Sequence, residues 1–172
     1  GNVTIKASAE AKTAGTLTVA GGTITKAENV KLPAPSGSIW TKVGDTEVLV
    51  NEASVAVVGG VGYENISDAI NAASDNVTVT LLKDVNTSAY TEIRKPMTID
   101  FGGNKFTSTG GGFDVYANLT LKNGTLNSVN WGVWVQSGAE LLVDSDMIIN
   151  TTSTAGEQGG ITVQNNGSKV TV

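Results

Sequence analysis

The chain reads as an all-β protein, a parallel β-helix preceded by a small β-rich unit, and three observations point there. Four segments overlay on one another: Ile93 with Met97-Thr98-Ile99, Val115 with Leu119-Thr120-Leu121, Val135 with Leu141-Leu142-Val143, and Val163 with Val170-Thr171-Val172. Their first positions lie 22, 20 and 28 residues apart, and a repeat in this range built from short alternating strands marks a solenoid. One such rung cannot bury its own apolar side, so it needs a rung above and below. Composition agrees: aromatic residues make up only 5% and charged residues 16%, with 21 glycines and abundant Thr, Asn, Ser and Val, which suits strands and turns. Finally, the apolar positions fall into three inward columns. These are Ile99, Leu121, Val143 and Val172; Met97, Leu119, Leu141 and Val170; and Phe106, Leu126 and Ile148. Three columns predict three short sheets, while short alternating strands alone leave a Greek-key sandwich open as the alternative.

Residues 1–50 read as a separate β-rich unit. Val3-Thr4-Ile5, Thr16-Leu17-Thr18-Val19 and Gly22-Thr23-Ile24-Thr25 alternate in period two between glycine turns. Lys31 to Gly37, with two prolines, is a loop. Ile39–Val43 and Glu47–Val50 form a hairpin about Gly44-Asp45, where glycine supplies the positive φ of a tight turn. Residues 51–75 connect the two parts through a short strand at Ser54–Val58 and a helix at Ile66–Ala73. That helix places Ile66, Ala69, Ile70 and Ala73 on one face, with Asn65 as N-cap and Asp68 in the first turn. Lying just before the repeats, it is expected to cover the open end of the first rung. Residues 76–172 then give a β-helix of four to five rungs, beginning at the strictly alternating Val77–Leu81 and open at its C-terminal end.

Several function classes are disfavoured by composition. Without Cys there is no disulfide framework or thiolate metal site, and without His the commonest general base and transition-metal ligand are missing. A formal charge of −5 argues against nucleic acid or an anionic membrane as partner. No run approaches the roughly 18 apolar residues that span a bilayer. The chain begins at Gly1 without a signal-peptide pattern, so a processed piece of a longer protein is expected. A Cys-free, acidic, Thr- and Asn-rich chain fits an extracellular or cell-surface location, with a virion as the alternative.

The run from Gly62-Tyr63 through DAINAA, TVTLLKDV and MTIDFGGNKF to Gly124-Thr125-Leu126 resembles the repeats of pectin-lyase-like right-handed β-helix proteins of bacterial surfaces. The resemblance covers about residues 57–172, and residues 1–50 have no counterpart in it. It implies a right-handed winding. It does not imply one activity, because this architecture serves lyases, hydrolases, adhesins and phage spikes alike.

A polysaccharide lyase would need a strong base beside gathered carboxylates for Ca²⁺, and a glycosidase would need two carboxylates facing a cleft. Asp100, Asp144 and Asp146 are the best carboxylates, but Asp100 and Asp144 flank Lys122 in the stack and read as a surface charge ladder. Arg94, the only arginine, reads as part of a turn. The expectation is therefore no catalytic set, no metal site and no cofactor.

A binding role rests instead on Tyr116, Trp131, Trp134 and Gln136. With Val115 and Val135 inward, Tyr116 and Trp134 take the opposite parity and face out, where flat rings stack on sugars or bury against a protein. Val170 and Val172 lie in an uncapped last rung, an edge for self-association or for continuation into further repeats. The functional expectation is a non-catalytic structural or adhesive scaffold. A phage or virus-like decoration module, a filament subunit and a carbohydrate-active enzyme fragment are the alternatives.

Overall fold

The computed structural model describes residues 3–5, 23–27, 32–153, 159–165 and 167–172. At the N-terminal end, β1 (Val3–Ile5), β2 (Ile24–Ala27), β3 (Ser38–Val43) and β4 (Thr46–Asn51) form a four-stranded sheet in the order β1-β2-β4-β3. β3 and β4 are the expected hairpin, with Val43 opposite Thr46 and Gly44 at φ 59° opening the two-residue turn. The expected strand at Thr16–Val19 lies outside the described residues. Val48 and Val50 are buried and meet Val57 across the boundary, so this sheet packs against the start of the solenoid.

The cap is richer than the sequence suggests. β5 (Ala56–Val58) turns through Gly59 and Gly60, both at positive φ, into β6 (Val61–Tyr63), a strand the alternation did not reveal. Helix α1 (Ile66–Ala72) follows, its first turn closed by Asn65, whose Oδ1 accepts from the Ser67 amide at 2.8 Å. Ile66, Ala69, Ile70 and Ala73 are all buried against the first rung. At the other end of the helix, Lys95 donates to the carbonyls of Asn71 and Ala73, each at 2.8 Å, placing a cation where the helix leaves acceptors unpaired.

From residue 77 the chain is a parallel β-solenoid of about three turns. The first turn is β7 (Val77–Leu81), β8 (Val85–Thr87) and β9 (Thr91–Ile93). The second is β10 (Met97–Asp100), β11 (Lys105–Ser108) and β12 (Phe113–Val115), and the third is β13 (Leu119–Lys122), β14 (Gly124–Ser128) and β15 (Val133–Val135). β16 (Glu140–Val143), β17 (Met147–Thr151), β18 (Ile161–Val163) and β19 (Lys169–Thr171) continue the stack. Strands β7, β10, β13, β16 and β19 make the first sheet, which β5 extends by pairing antiparallel with β7. The second sheet is β8-β11-β14-β17 and the third is β9-β12-β15-β18. Parallel pairing among all the strands from β7 to β19 excludes the sandwich.

The four-segment overlay is the observed register: Ile93, Val115, Val135 and Val163 are successive partners, as are Met97, Leu119, Leu141 and Val170. Two columns need correction: Val172, expected beneath Val143, lies past the end of β19 and is 88% exposed. Phe106 and Leu126 are followed by Ile149, not by Ile148, which points outward and is 57% exposed. Asp144-Ser145-Asp146 lengthens the turn into β17 by one residue relative to Lys122-Asn123, and a one-residue slip reverses which side chains face in.

The core is densest where three phenylalanines meet. Phe101, Phe106 and Phe113 are wholly buried, with ring centroids 5.0 Å apart for Phe106–Phe113 and 6.4 Å for the edge-on pair Phe101–Phe113. Truncating Phe106→Ala is expected to cost about 3–5 kcal/mol, the usual range for emptying a buried aromatic position. Ile148→Ala is expected to stay within about 0.5 kcal/mol. Urea unfolding midpoints of the two variants test the corrected register directly, since the uncorrected one makes both positions core.

Candidate functional site

The outer face of the third sheet gathers the binding residues expected from sequence. Because Ile93, Val115, Val135 and Val163 point in, their neighbours point out in two rows that run across the strands. One row is Glu92, Asp114, Trp134 and Thr162; the other, one position beyond the inward column, is Arg94, Tyr116, Gln136 and Gln164. Tyr90 and Trp131 stand at the turns leading into β9 and β15.

This face divides into two parts. The first is a polar network centred on Asp114, which is only 8% exposed although it lies on the outer side. Its Oδ2 accepts from the Tyr116 hydroxyl at 2.9 Å, and its Oδ1 accepts from Gln136 Nε2 on the next rung. Arg94 donates through Nε to Glu92 at 2.7 Å and lays its guanidinium over the Tyr116 ring, 4.4 Å from the centroid. Tyr116 is therefore half-buried with Arg94 stacked on it, and it is not the free stacking platform its parity suggested. Gln136 does not ladder with Gln164; its amide is held by Asp114.

The second part is an aromatic corner. Trp131 and Trp134 meet edge-on with centroids 5.2 Å apart, and Tyr90, 48% exposed, lies 6.1 Å from Trp131. Gly111 makes room for the corner: a Cβ there would sit 2.4 Å from the Trp131 ring. Both tryptophans are half-buried, and neither indole N–H finds an acceptor. The chain at this turn also departs from its neighbours. In the rung below, Ser108 accepts from the Gly110 amide at 3.1 Å and donates to the Ala89 carbonyl. At the equivalent Ser128, the amides of Val129 and Asn130 both take the Gly110 carbonyl, leaving the serine hydroxyl without a partner.

Elsewhere the candidate groups do not converge. Asp100 pairs with Lys122 at 3.3 Å and is also tied to the Gly102 amide. Asp144 accepts from the following residue, Ser145, and Asp146 is exposed. Among the described residues no three of Asp, Glu, His or Cys are grouped as a metal site would require. A polar groove of about 400 Å³ runs over the first sheet beside Thr98, Asn118, Thr120 and Glu140, with exposed Leu142 at its floor. Val170 is half-buried and Val172 is 88% exposed, with β19 the edge strand of its sheet. Asp114, Glu92, Arg94 and Tyr90 carry no motif and were not singled out as binding residues. Their shared face follows from the same parity that placed Trp134. No protein family, curated protein or solved structure matches the chain.

The network leaves a spectroscopic mark. The phenol of Tyr116 is held above its ordinary value, chiefly because its hydroxyl donates to Asp114, with burial and the nearby carboxylate charge adding to the effect. A raised value means that the fold favours the neutral phenol. The resulting stabilisation is complete below the unfolded-state value of about 10 and disappears as pH rises through the folded-state value. Of the three tyrosines, one is expected to form tyrosinate late in an absorbance titration, and Tyr116→Phe is expected to remove that late component. If the late component survives the substitution, the assignment fails.

Proposed function

We propose that this chain is a non-catalytic scaffold of a bacterial cell surface, a rigid rod that holds out the outer face of its third sheet for adhesion. The observation that carries this reading is the Tyr90–Trp131–Trp134 corner set against the Asp114 network on one flat, in-register face. A sheet face whose side chains are locked by neighbours presents a surface that loses little freedom on binding. The resemblance of residues 57–172 to pectin-lyase-like repeats supports the extracellular placement and the right-handed winding. Support for a non-catalytic role comes from Asp100 and Asp114, whose oxygens are taken up by Lys122, Tyr116, Gln136 and the Gly102 amide.

Adhesion is testable without knowing the ligand. Beads coated with the protein are expected to adhere to cell or mucosal surfaces. Trp134→Ala is expected to reduce adherence several-fold, while Leu142→Ala on the first sheet leaves it unchanged. Equal loss from both variants, or from neither, overturns the assignment of binding to the third sheet.

A further inference from the structure

We infer that the ligand of the third-sheet face is an uncharged oligosaccharide, whose sugar rings stack on the Tyr90–Trp131–Trp134 corner and whose hydroxyls meet Gln136. This rests on the adhesive reading of that face and names the class of molecule it takes.

The charges on the face argue for a neutral ligand. Arg94 is committed to Glu92 through Nε and to the Tyr116 ring through its guanidinium plane. Asp114 is nearly buried and accepts from both Tyr116 and Gln136. The face therefore carries one cation against two carboxylates, on a protein of formal charge −5. An acidic polymer would approach through net repulsion. A cationic one would find Glu92 already neutralised and Asp114 closed off by its two donors. What stays open is uncharged: ring faces, the carbonyl and remaining N–H of Gln136, and the side chains of Thr162 and Gln164, the last exposed.

The aromatic corner has the matching chemistry. Sugars with equatorial hydroxyls present flat C–H faces that suit indole and phenol rings, with hydroxyls at the rim for fixed amides. Ring separations of 6.1 and 5.2 Å, at interplanar angles of 47° and 80°, gather rings from the first and third turns into one cluster over Gly111 of the second. Packing alone does not explain the residue types. Phenylalanine would fill much of the same space without leaving two buried indole N–H groups unpaired, each of which costs free energy. Gly111 leaves the room that the Trp131 ring occupies, since a Cβ there would lie 2.4 Å from it. Asp114 acts as a positioning residue, because by engaging Nε2 it fixes which way the Gln136 amide faces.

Calorimetric titration with cellopentaose, a neutral β-linked glucan fragment, tests this, alongside pentagalacturonate as the acidic counterpart. The expected result is binding of cellopentaose that changes less than about twofold between 0.05 and 0.5 M salt, since no charge is screened. Tyr90→Ala and Trp134→Ala are each expected to weaken it by about tenfold, the loss of one stacked ring. Tyr90 is exposed, so its variant retains the fold even if the Trp134 variant does not. Binding of pentagalacturonate alone, salt-dependent binding, or no binding of cellopentaose overturns the inference. If adherence is lost in Trp134→Ala while cellopentaose fails to bind, the adhesive face stands and its ligand is of another class, a protein included.

Discussion

The structure depends on one constraint: every inward side chain is covered by its counterpart one rung away. A three- or four-residue strand has too few contacts to hold its own shape, and a single rung of this solenoid has no interior. Parallel, in-register pairing solves both problems together. It brings Ile93, Val115 and Val135 into one buried column and Met97, Leu119 and Leu141 into another, and it gives each backbone group a partner above or below. The same register fixes the outer surface. Once Val115 and Val135 point in, Asp114, Trp134, Tyr116 and Gln136 have only one side on which to stand.

Stacking by repetition leaves the first rung needing a different partner, and the N-terminal cap supplies one by changing the direction of the chain. β5 joins the first sheet antiparallel, Val58 opposite Val79, and α1 lays Ile66, Ala69 and Ile70, with Ala73 just after it, over the hydrophobic end. Lys95, reaching back from the second rung to the carbonyls at the end of α1, ties cap to stack through charge as well as burial. The polar column at the second turn has a similar dual role. Ser108 sits inside the solenoid, where a hydroxyl is tolerated because the chain bends there and needs both a donor and an acceptor to complete the backbone bonding.

The architecture was legible in the sequence because the repeat is carried by residue type at a fixed offset from short turns. Turn length itself varies, with seven residues from Ile99 to Phe106 and five from Leu121 to Leu126, so residue type and not counting carries the columns; counting five from Val143 lands on Ile148, one short of the residue that faces in. β6 was hidden because Val61-Gly62-Tyr63 is too short to show alternation, and its glycine is needed for a different reason: a Cβ at Gly62 would collide with Ser54 and Val50. On the outer face of the third sheet, parity placed Tyr116 and Trp134 outward. It said nothing of Arg94 covering Tyr116 or of Asp114 being buried on an outer surface. Arg94 over Tyr116 and Gln136 on Asp114 are contacts between rungs 22 residues apart, and no local pattern encodes them.

The polar groups left unsatisfied mark out one rung. Of the five buried side-chain atoms lacking a hydrogen-bond partner among the described residues, three belong to Ser128, Trp131 and Trp134. The neighbouring rung shows what the regular solution is, with Ser108 bonded on both sides. In the third rung the chain abandons it: Val129 and Asn130 take the Gly110 carbonyl, the serine is stranded, and the turn instead delivers Trp131 onto the bare backbone of Gly111. A repeat under selection for stability alone would keep the regular turn, since each orphaned group costs about 1–3 kcal/mol. Local departures from the rule that governs the rest of a fold concentrate where something other than folding is being served. Here that place coincides with the aromatic corner, so the residues that weaken the third rung are the same ones on which the proposed adhesive role rests.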